Sequence, residues 1–266
     1  MTLIKPFEKL LLYLYYFLII SYSSTVWFRG TFMQIIGLVV LVLLSYISLL
    51  YVLPQNKCRM TFVNLIPYLF FYICYVTIYV LVGENTKLFF IDFIVVILSM
   101  VTFNVSSTYF RTREDFLTII NNIVRVFVVV SLFFYFLGSL TKTIHPTSNV
   151  DVMWGQLFSR PSYFGLHYDY QQVYLNGRFI PRNSGVFLEA GIFSFYIAFA
   201  LLIELFHYKK RNWKWIIVLV LGLLTTFSTT SYIIMSFLAI MMLMVYKPSN
   251  NYLKGLKSVF LILVTS

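Results

Sequence analysis

Thr31–Leu53 has the sequence TFMQIIGLVVLVLLSYISLLYVL, which contains no charged side chain. This run exceeds the ~18 apolar residues that indicate a transmembrane helix. Two further uncharged runs, Leu10–Phe28 and Met60–Gly83, lie on either side of it and have the same apolar character. These three stretches predict a protein whose helices cross a lipid bilayer.

The composition of the whole chain agrees with this interpretation. Hydrophobic residues make up 60% of the 266 residues and charged residues 11%, whereas soluble domains contain roughly 45–50% and 25%. A last span is predicted to begin near Ser258, and three others are predicted at Leu88–Val105, Phe116–Leu140 and Val186–Phe206.

The uncharged run from Trp215 to Tyr246 is too long for one span. As a single helix it would be about 48 Å long, against a hydrocarbon core of ~30 Å. Because the polar cluster Thr225–Ser231 lies near its middle, we predict two short spans joined by a tight turn. The expected fold class is all-α: a polytopic transmembrane helical bundle of about 8–9 spans. Residues 1–266 would form a single integral membrane domain with one large exterior loop at 141–185.

The basic residues orient this bundle. With a cytoplasmic N-terminus, the predicted inside segments hold 13 of the 20 lysines and arginines and the outside segments hold 6, as the positive-inside rule requires. The net charge of +11 follows from this orientation, so no nucleic-acid partner is expected. The lipid bilayer is the expected environment of the chain.

The exterior loop is rich in aromatic side chains interleaved with Asn, Gln, Asp and Arg. Sugars present apolar C–H faces and polar edges, which suit aromatic rings with hydrogen-bonding groups beside them. We expect the loop to bind glycan through Trp154, Tyr168, Tyr170 and Tyr174. The alternative is a belt of aromatic rings lying among the lipid headgroups.

The loop leads into the next predicted helix through the stretch Arg178-Phe-Ile-Pro-Arg182-Asn-Ser-Gly185-Val-Phe-Leu-Glu189-Ala-Gly191. We expect a helix cap within 183–185 and Glu189 about one turn inside the helix. Inserting a carboxylate so close to hydrocarbon costs roughly 2.5–3.5 kcal/mol on insertion scales. We therefore expect Glu189 to have a charged partner or a functional role. Forked guanidiniums at a helix N-terminus suit a phosphate. Either arginine could instead snorkel to headgroups, and Glu189 could simply pair with Arg182.

Arg125 is the only cation within the body of a predicted span. We expect it to face the bundle interior, either in a structural pair with Asp92 or as part of a polar pathway. Glu204 is expected at the cytoplasmic interface. The loop histidines His145 and His167 are general bases by type, but each is expected to be solvated.

The motif Arg182-Asn-Ser-Gly-Val-Phe-Leu-Glu-Ala-Gly191, which follows a large loop, resembles the Arg-x-Ser-Gly-x-Phe-x-Glu-Pro-Gly signature of bacterial O-antigen and capsular polysaccharide polymerases. The stretch Leu223-Leu-Thr-Thr-Phe-Ser-Thr-Thr-Ser-Tyr232 resembles the next block of that family, a Ser/Thr-rich turn between two helices. The resemblance covers roughly 140–246, with a family-like helical block at 186–246. Ala190 stands where the family usually has Pro.

The resemblance implies a glycosyltransferase of the bacterial cytoplasmic (inner) membrane that joins undecaprenyl-pyrophosphate-linked repeat units into capsular, exo- or O-antigen polysaccharide. It implies that Arg182 and Glu189 are catalytic, with Glu189 orienting an arginine or acting as the base. Arg178 and Arg125 would bind the pyrophosphate together with Arg182, and the loop aromatics would hold the glycan. No metal and no cofactor are implied. The implied partners are the lipid-linked glycan, a flippase and a chain-length regulator.

Two alternatives stay open at this point. An O-antigen ligase has the same architecture but a different acceptor. A lipid-linked oligosaccharide flippase or other transporter would also explain charged residues in the membrane, although transporters favour charge near the bilayer midplane. Members of the polymerase family are generally longer and have a second exterior loop. The resemblance therefore implies a C-terminally truncated member, which we expect to insert into the membrane but to polymerise little.

Overall fold

The structure, a computed structural model, describes residues 6–28, 31–52, 113–154, 156–169 and 171–245, together with single positions at 67, 70, 73, 74 and 97. These described residues are mostly helical, as the apolar runs predict. The helices are α1 (Pro6–Ser24), α2 (Thr31–Val52), α3 (Arg113–Phe134), α4 (Ala190–Leu202), α5 (Trp213–Thr225) and α6 (Thr229–Val245).

Two helical stretches of the described part are long and apolar enough to cross a bilayer. They are Phe116–Leu140 and Ala190–His207, and each ends in a π-helical turn, at Tyr135–Leu140 and Ile203–His207 respectively. The predicted spans at 60–83, 88–105 and beyond Ser258 lie outside the described residues, apart from single positions. The larger number of spans stays a prediction.

The polar cluster in the long apolar run separates two helices, as predicted. α5 ends at Thr225 and α6 begins at Thr229. Between them Phe227 has φ +45°, a left-handed conformation that reverses the chain without glycine at a steric cost. The hydroxyls of Thr225 and Thr226 donate to backbone carbonyls of the last turn of α5, at 2.8 and 2.7 Å. These bonds satisfy carbonyls that a helix end leaves unpaired.

The segment between α3 and α4 contains β-structure, so the all-α prediction is wrong there. An antiparallel sheet contains β1 (Ser148–Trp154), β2 (Gln156–Tyr163) and β3 (His167–Tyr168), and a separate hairpin contains β4 (Gln172–Leu175) and β5 (Arg178–Pro181). Asn176 and Gly177 form the hairpin turn with φ +48° and +79°. Asn-Gly favours such two-residue turns because both positions need positive φ.

Three helices, α3, α5 and α6, pack against α4, which is apolar on all sides, while α1 packs against α3 and α2 against α1. Its residues Phe193 and Ile197 are fully buried in the same core as Val128 of α3. Gly222 of α5 permits this close packing, because an added Cβ would lie 2.9 Å from Cγ1 of Val128 and 3.3 Å from Cδ1 of Ile197. Because α3, α4 and α5 connect the two ends of the bundle in turn, the strands after α3, the start of α4 and the turn after α5 lie at the same end. We call it the loop-side end. The segment His207–Asn212 lies at the opposite end.

Candidate functional site

The chain before α4 is a buried irregular turn. The predicted helix start at Val186 and the predicted cap within 183–185 are wrong, because α4 begins at Ala190. The residues directly before Ala190 are not helical: the Val26 N–H donates to the Val186 carbonyl at 3.0 Å, and Glu189 has an extended backbone. Gly185 reverses the chain just before them with φ +57°, where an added Cβ would lie 3.1 Å from Cβ of Ser131, so this left-handed position favours glycine.

Asn183 joins this turn to the Ser/Thr turn, which we define as Thr225–Ser231. The backbone N–H of Asn183 donates to the Thr225 carbonyl at 2.9 Å, and its side-chain Nδ2 donates to Thr225 Oγ1 at 3.0 Å. Arg182 Nε donates to the Thr226 carbonyl at 3.0 Å. The two stretches that carry the family resemblance are therefore parts of one structural unit at the loop-side end.

Glu189 lies directly before α4 and not one turn inside it. It occupies the N-cap position with an extended backbone, φ −138° and ψ +141°, and its side chain makes no capping bond. The backbone N–H of Ala190 donates instead to Gln171 Oε1 at 3.3 Å. Burial lowers the pKa of the Arg182 guanidinium, and the nearby Glu189 carboxylate partly offsets that effect. Among the described residues, no direct ion pair joins Arg182 to Glu189.

Arg125 lies toward the opposite end of the bundle. Its guanidinium pairs with the Glu204 carboxylate, donates to Asn122 Oδ1 at 2.8 Å and lies 4.8 Å from the ring centroid of Trp215. Glu204 is fully buried within the bundle, in the last helical turn before His207, and its predicted interfacial depth stays a prediction. Glu204 is also about 21 Å along the helix from the start of α4 at 1.5 Å per residue. The structure therefore does not bring Arg125 together with Arg178 and Arg182 around one pyrophosphate. The predicted partner Asp92 lies outside the described residues.

The four aromatic residues predicted to hold glycan have different environments. Tyr168 is buried and donates to the Gly165 carbonyl at 3.1 Å, so its ring is not accessible to a sugar, and burial raises its pKa. Tyr170 and the side chain of Trp154 lie outside the described residues. Tyr174 is 63% exposed on the hairpin, with its ring 5.1 Å from that of Phe179. Within the described part, Tyr174 alone of the four offers a free aromatic face.

Arg178 is exposed at the start of β5 and lines a cavity of about 780 Å³ at the loop-side end. The cavity lies where the π-helical turn after α3 meets the strands. It combines the acidic and hydroxyl side chains of Asp169, Tyr163 and Ser139 with the basic side chains of Lys142, His145 and Arg178. Its apolar lining includes Ile144, Pro146, Phe179 and Ile180. We call it the Asp169 pocket.

Asp169 is held by three donors in what we call the Asp169 cluster. Ser139 Oγ donates to Asp169 Oδ1 and Tyr163 OH donates to Oδ2 at 3.2 Å, while Nε2 of the buried His167 lies 3.4 Å from Oδ1. Burial opposes ionisation, but the hydrogen bonds from His167 and Ser139 hold the pKa of Asp169 below its usual value. Burial and the adjacent Asp169 raise the pKa of Tyr163 to about 12. Asp169 is therefore an ionised acceptor at neutral pH.

The Asp169 cluster is not a Ser-His-Asp relay. In such a relay the serine and the aspartate bind opposite nitrogens of the imidazole. Here Ser139 Oγ lies 3.1 Å from His167 Nε2, which is also the nitrogen nearest Asp169. Nδ1 of His167 has no hydrogen-bond partner in the described part of the chain. The geometry orients a carboxylate and does not activate a serine nucleophile.

Sequence reasoning missed this cluster, and it assigned His167 to solvent although the ring is fully buried. A signal was present: in His167-Tyr168-Asp169 the first and third side chains lie on the same face if the chain is extended. Ser139 could not be found in this way because it belongs to another element, 28 residues earlier.

Comparisons with known protein families, with curated proteins and with solved structures find no significant match for this chain. The geometry and the sequence motifs therefore carry the functional proposal.

Proposed function

We propose that this chain is a polytopic membrane glycosyltransferase of the polysaccharide-polymerase type. It would transfer an undecaprenyl-pyrophosphate-linked glycan chain onto the next lipid-linked repeat unit. The supporting observation is the contact between Asn183 and Thr225, which lie 42 residues apart. This contact joins the two stretches that resemble consecutive blocks of the family, at the end of the bundle where the strands lie.

The reaction needs positive charge where the pyrophosphate leaves. Arg182 suits this role because its Nε is occupied by the Thr226 carbonyl. The two terminal nitrogens of Arg182 have no hydrogen bond in the described part of the chain, so the fork is held in place and available for phosphate oxygens. Glu189 lies close enough to interact electrostatically with Arg182. In this proposal it orients that arginine or accepts the proton of the acceptor hydroxyl.

The membrane arrangement is part of the same proposal. About 8–9 spans, a cytoplasmic N-terminus and an exterior loop at 141–185 fit the charge asymmetry of the sequence. The two candidate spans, Phe116–Leu140 and Ala190–His207, support a membrane location. The proposed location is the bacterial inner membrane, with a flippase and a chain-length regulator as partners.

A flippase is less well supported than an enzyme. The Asp, Glu, Lys and Arg side chains within the two candidate spans are those of Arg125 and Glu204. They are paired with each other, and Glu204 also accepts from Asn121 Nδ2 at 2.8 Å. A substrate pathway would need charges free to exchange partners during transport. An O-antigen ligase differs only in its acceptor and stays the alternative within the enzyme class.

The test substitutes Arg182 in the gene at its own chromosomal locus. We expect Arg182→Lys to shorten the surface polysaccharide nearly as much as Arg182→Ala, since lysine keeps the charge but loses the fork. Loss of one such electrostatic contact typically costs about 10²–10³ in rate. Polymer length is measured by gel electrophoresis, with membrane insertion confirmed by immunoblot. Arg211→Lys, at the opposite end of the bundle, is the matched control. Normal polymer length in the Arg182→Lys strain would show that the guanidinium fork of Arg182 is not needed for polymerisation.

A further inference from the structure

The Asp169 pocket carries more positive charge than its acidic group can balance. Lys142 and Arg178 line it beside Asp169, and His145 adds a third basic side chain. Arg182 is bound to the Ser/Thr turn and is not part of the pocket lining. The pocket is therefore chemically distinct from the Arg182 site.

Lys142 occupies an unusual backbone position for a lysine. It directly follows Thr141, which ends the π-helical turn after α3, and its φ is +54°. Glycine is the usual residue at this left-handed position after a helix, because a Cβ is sterically unfavourable there. Strained residues of this kind cluster at functional sites. The position of Lys142 at the lip of the pocket thus points to a role for its side chain.

The pocket also offers the two features that a neutral part of a sugar requires. Phe179, which lines it, is 70% exposed, and an exposed aromatic face suits the C–H face of a pyranose. The Asp169 carboxylate has about four acceptor positions. Ser139, Tyr163 and His167 account for three of them, which leaves one for a ligand hydroxyl.

We propose that the Asp169 pocket is a glycan subsite that selects a sugar bearing an anionic group. Lys142 and Arg178 bind the anionic group, Asp169 accepts a bond from a ring hydroxyl, and Phe179 packs on the C–H face. The anionic group is a uronic-acid carboxylate or a phosphate ester, which share this chemistry. The inference rests on the proposed function in taking the repeat-unit glycan as the ligand. The inference predicts that this glycan contains an acidic sugar.

The first test needs no variant. The full chain is purified in detergent, and dissociation constants are measured by isothermal titration calorimetry for glucuronic acid, glucose 6-phosphate, glucose and inorganic phosphate. We expect at least one of the two anionic sugars to bind about 10-fold more tightly than glucose, as one added charge-assisted contact would give. The tighter of the two identifies the carboxylate or the ester as the source. Equal binding of glucose, or inorganic phosphate binding as tightly as the sugars, would overturn the proposal.

The second test uses the backbone strain. Lys142→Gly relieves the positive φ, so its unfolding temperature should be unchanged or higher, while its preference for the anionic sugar over glucose should fall about 10-fold. Lys142→Arg should keep the preference. Asn176→Gly relieves the same kind of strain in the β4–β5 turn and should change neither quantity. A Lys142→Gly chain with full preference would contradict the assignment. Arg178→Gln, a change at an exposed position, should independently lower the preference for the anionic sugar over glucose.

The two proposals fail separately. Selective binding of an anionic sugar together with normal polymer in Arg182→Lys cells would uphold the subsite and remove the support for the polymerase. Loss of polymer in those cells without any sugar preference in the purified chain would do the reverse.

Discussion

The Arg125–Glu204 ion pair is a buried charge pair whose loss is expected to reduce stability. Glu204 is fully buried and Arg125 nearly so, with 15% of its side chain exposed. Asn121 and Asn122 each bind one partner, and Trp215 covers the guanidinium. Breaking such a pair leaves an uncompensated charge in a medium that cannot solvate it.

We therefore expect Glu204→Gln to lower the free energy of unfolding by about 3–5 kcal/mol. The double variant Arg125→Met with Glu204→Met should be closer to wild type than Glu204→Gln alone, because it removes both charges. Denaturant unfolding in mixed micelles measures both. Lys210→Gln, at an exposed position, is the control. If Glu204→Gln were no less stable than this control, the pair would be dispensable.

At the scale of elements, the π-helical turn Tyr135–Leu140 connects the sheet to α3. Ser139 in this turn donates to Asp169, and Tyr135 donates from its hydroxyl to the Pro181 carbonyl at 3.0 Å. Gly138 lies against the Tyr163 ring of β2, where an added Cβ would lie 2.6 Å from Cε1. A single turn of helix thus positions both the three-stranded sheet and the hairpin.

Gly138→Ala should loosen this contact. The methyl group must displace the Tyr163 ring, which typically costs about 1–3 kcal/mol for an overpacked site. We expect faster proteolysis within 141–185 and a lower unfolding temperature. Gly191→Ala is the matched control, because its nearest neighbour would be Ser228 Oγ at an ordinary 3.6 Å and alanine favours a helix. Equal protease resistance in both variants would show that Gly138 is not under steric pressure.

The sequence predicts local features better than distant contacts. Uncharged runs predict α1 to α6, and the polar cluster predicts the break at Thr225–Ser231, since both depend on neighbours along the chain. The partner of Arg125 is 79 residues away, and its identity depends on how α3 and α4 are rotated. The extended backbone at Glu189 moves the start of α4 to Ala190, and nothing in the hydropathy pattern signals it. The strands could have been anticipated from Asn176-Gly177, but the Asp169 pocket depends on how they dock.

At the scale of the whole molecule, the arrangement fixes which segments share an end of the helical bundle. Ser148 and the Ser/Thr turn lie at the loop-side end, whereas Lys210 lies at the opposite end, because α3, α4 and α5 connect the two ends in turn. This follows from the contacts and needs no assumption about orientation. In the proposed membrane arrangement, the positive-inside rule predicts that the loop-side end faces outward.

Cysteine labelling tests this arrangement. Single cysteines at Ser148, Thr230 and Lys210 are introduced after replacing Cys58 and Cys74 with serine. A membrane-impermeant maleimide added to intact cells should label the first two and leave the third unlabelled until the cells are opened. Labelling at Lys210 in intact cells would show that the opposite end of the bundle, and not the loop-side end, faces outward. Labelling at Ser148 but not at Thr230 would show that the Ser/Thr turn is not on the same side as the loop.

The bond between Asn183 and Thr225 also sets an order for biosynthesis. Thr225 leaves the ribosome 42 residues after Asn183, which takes about 2–8 s at 5–20 residues per second. During that interval Arg182 and Asn183 lack the carbonyls that hold them. The loop-side end of a nascent chain is therefore incomplete until α5 and the Ser/Thr turn have been synthesised.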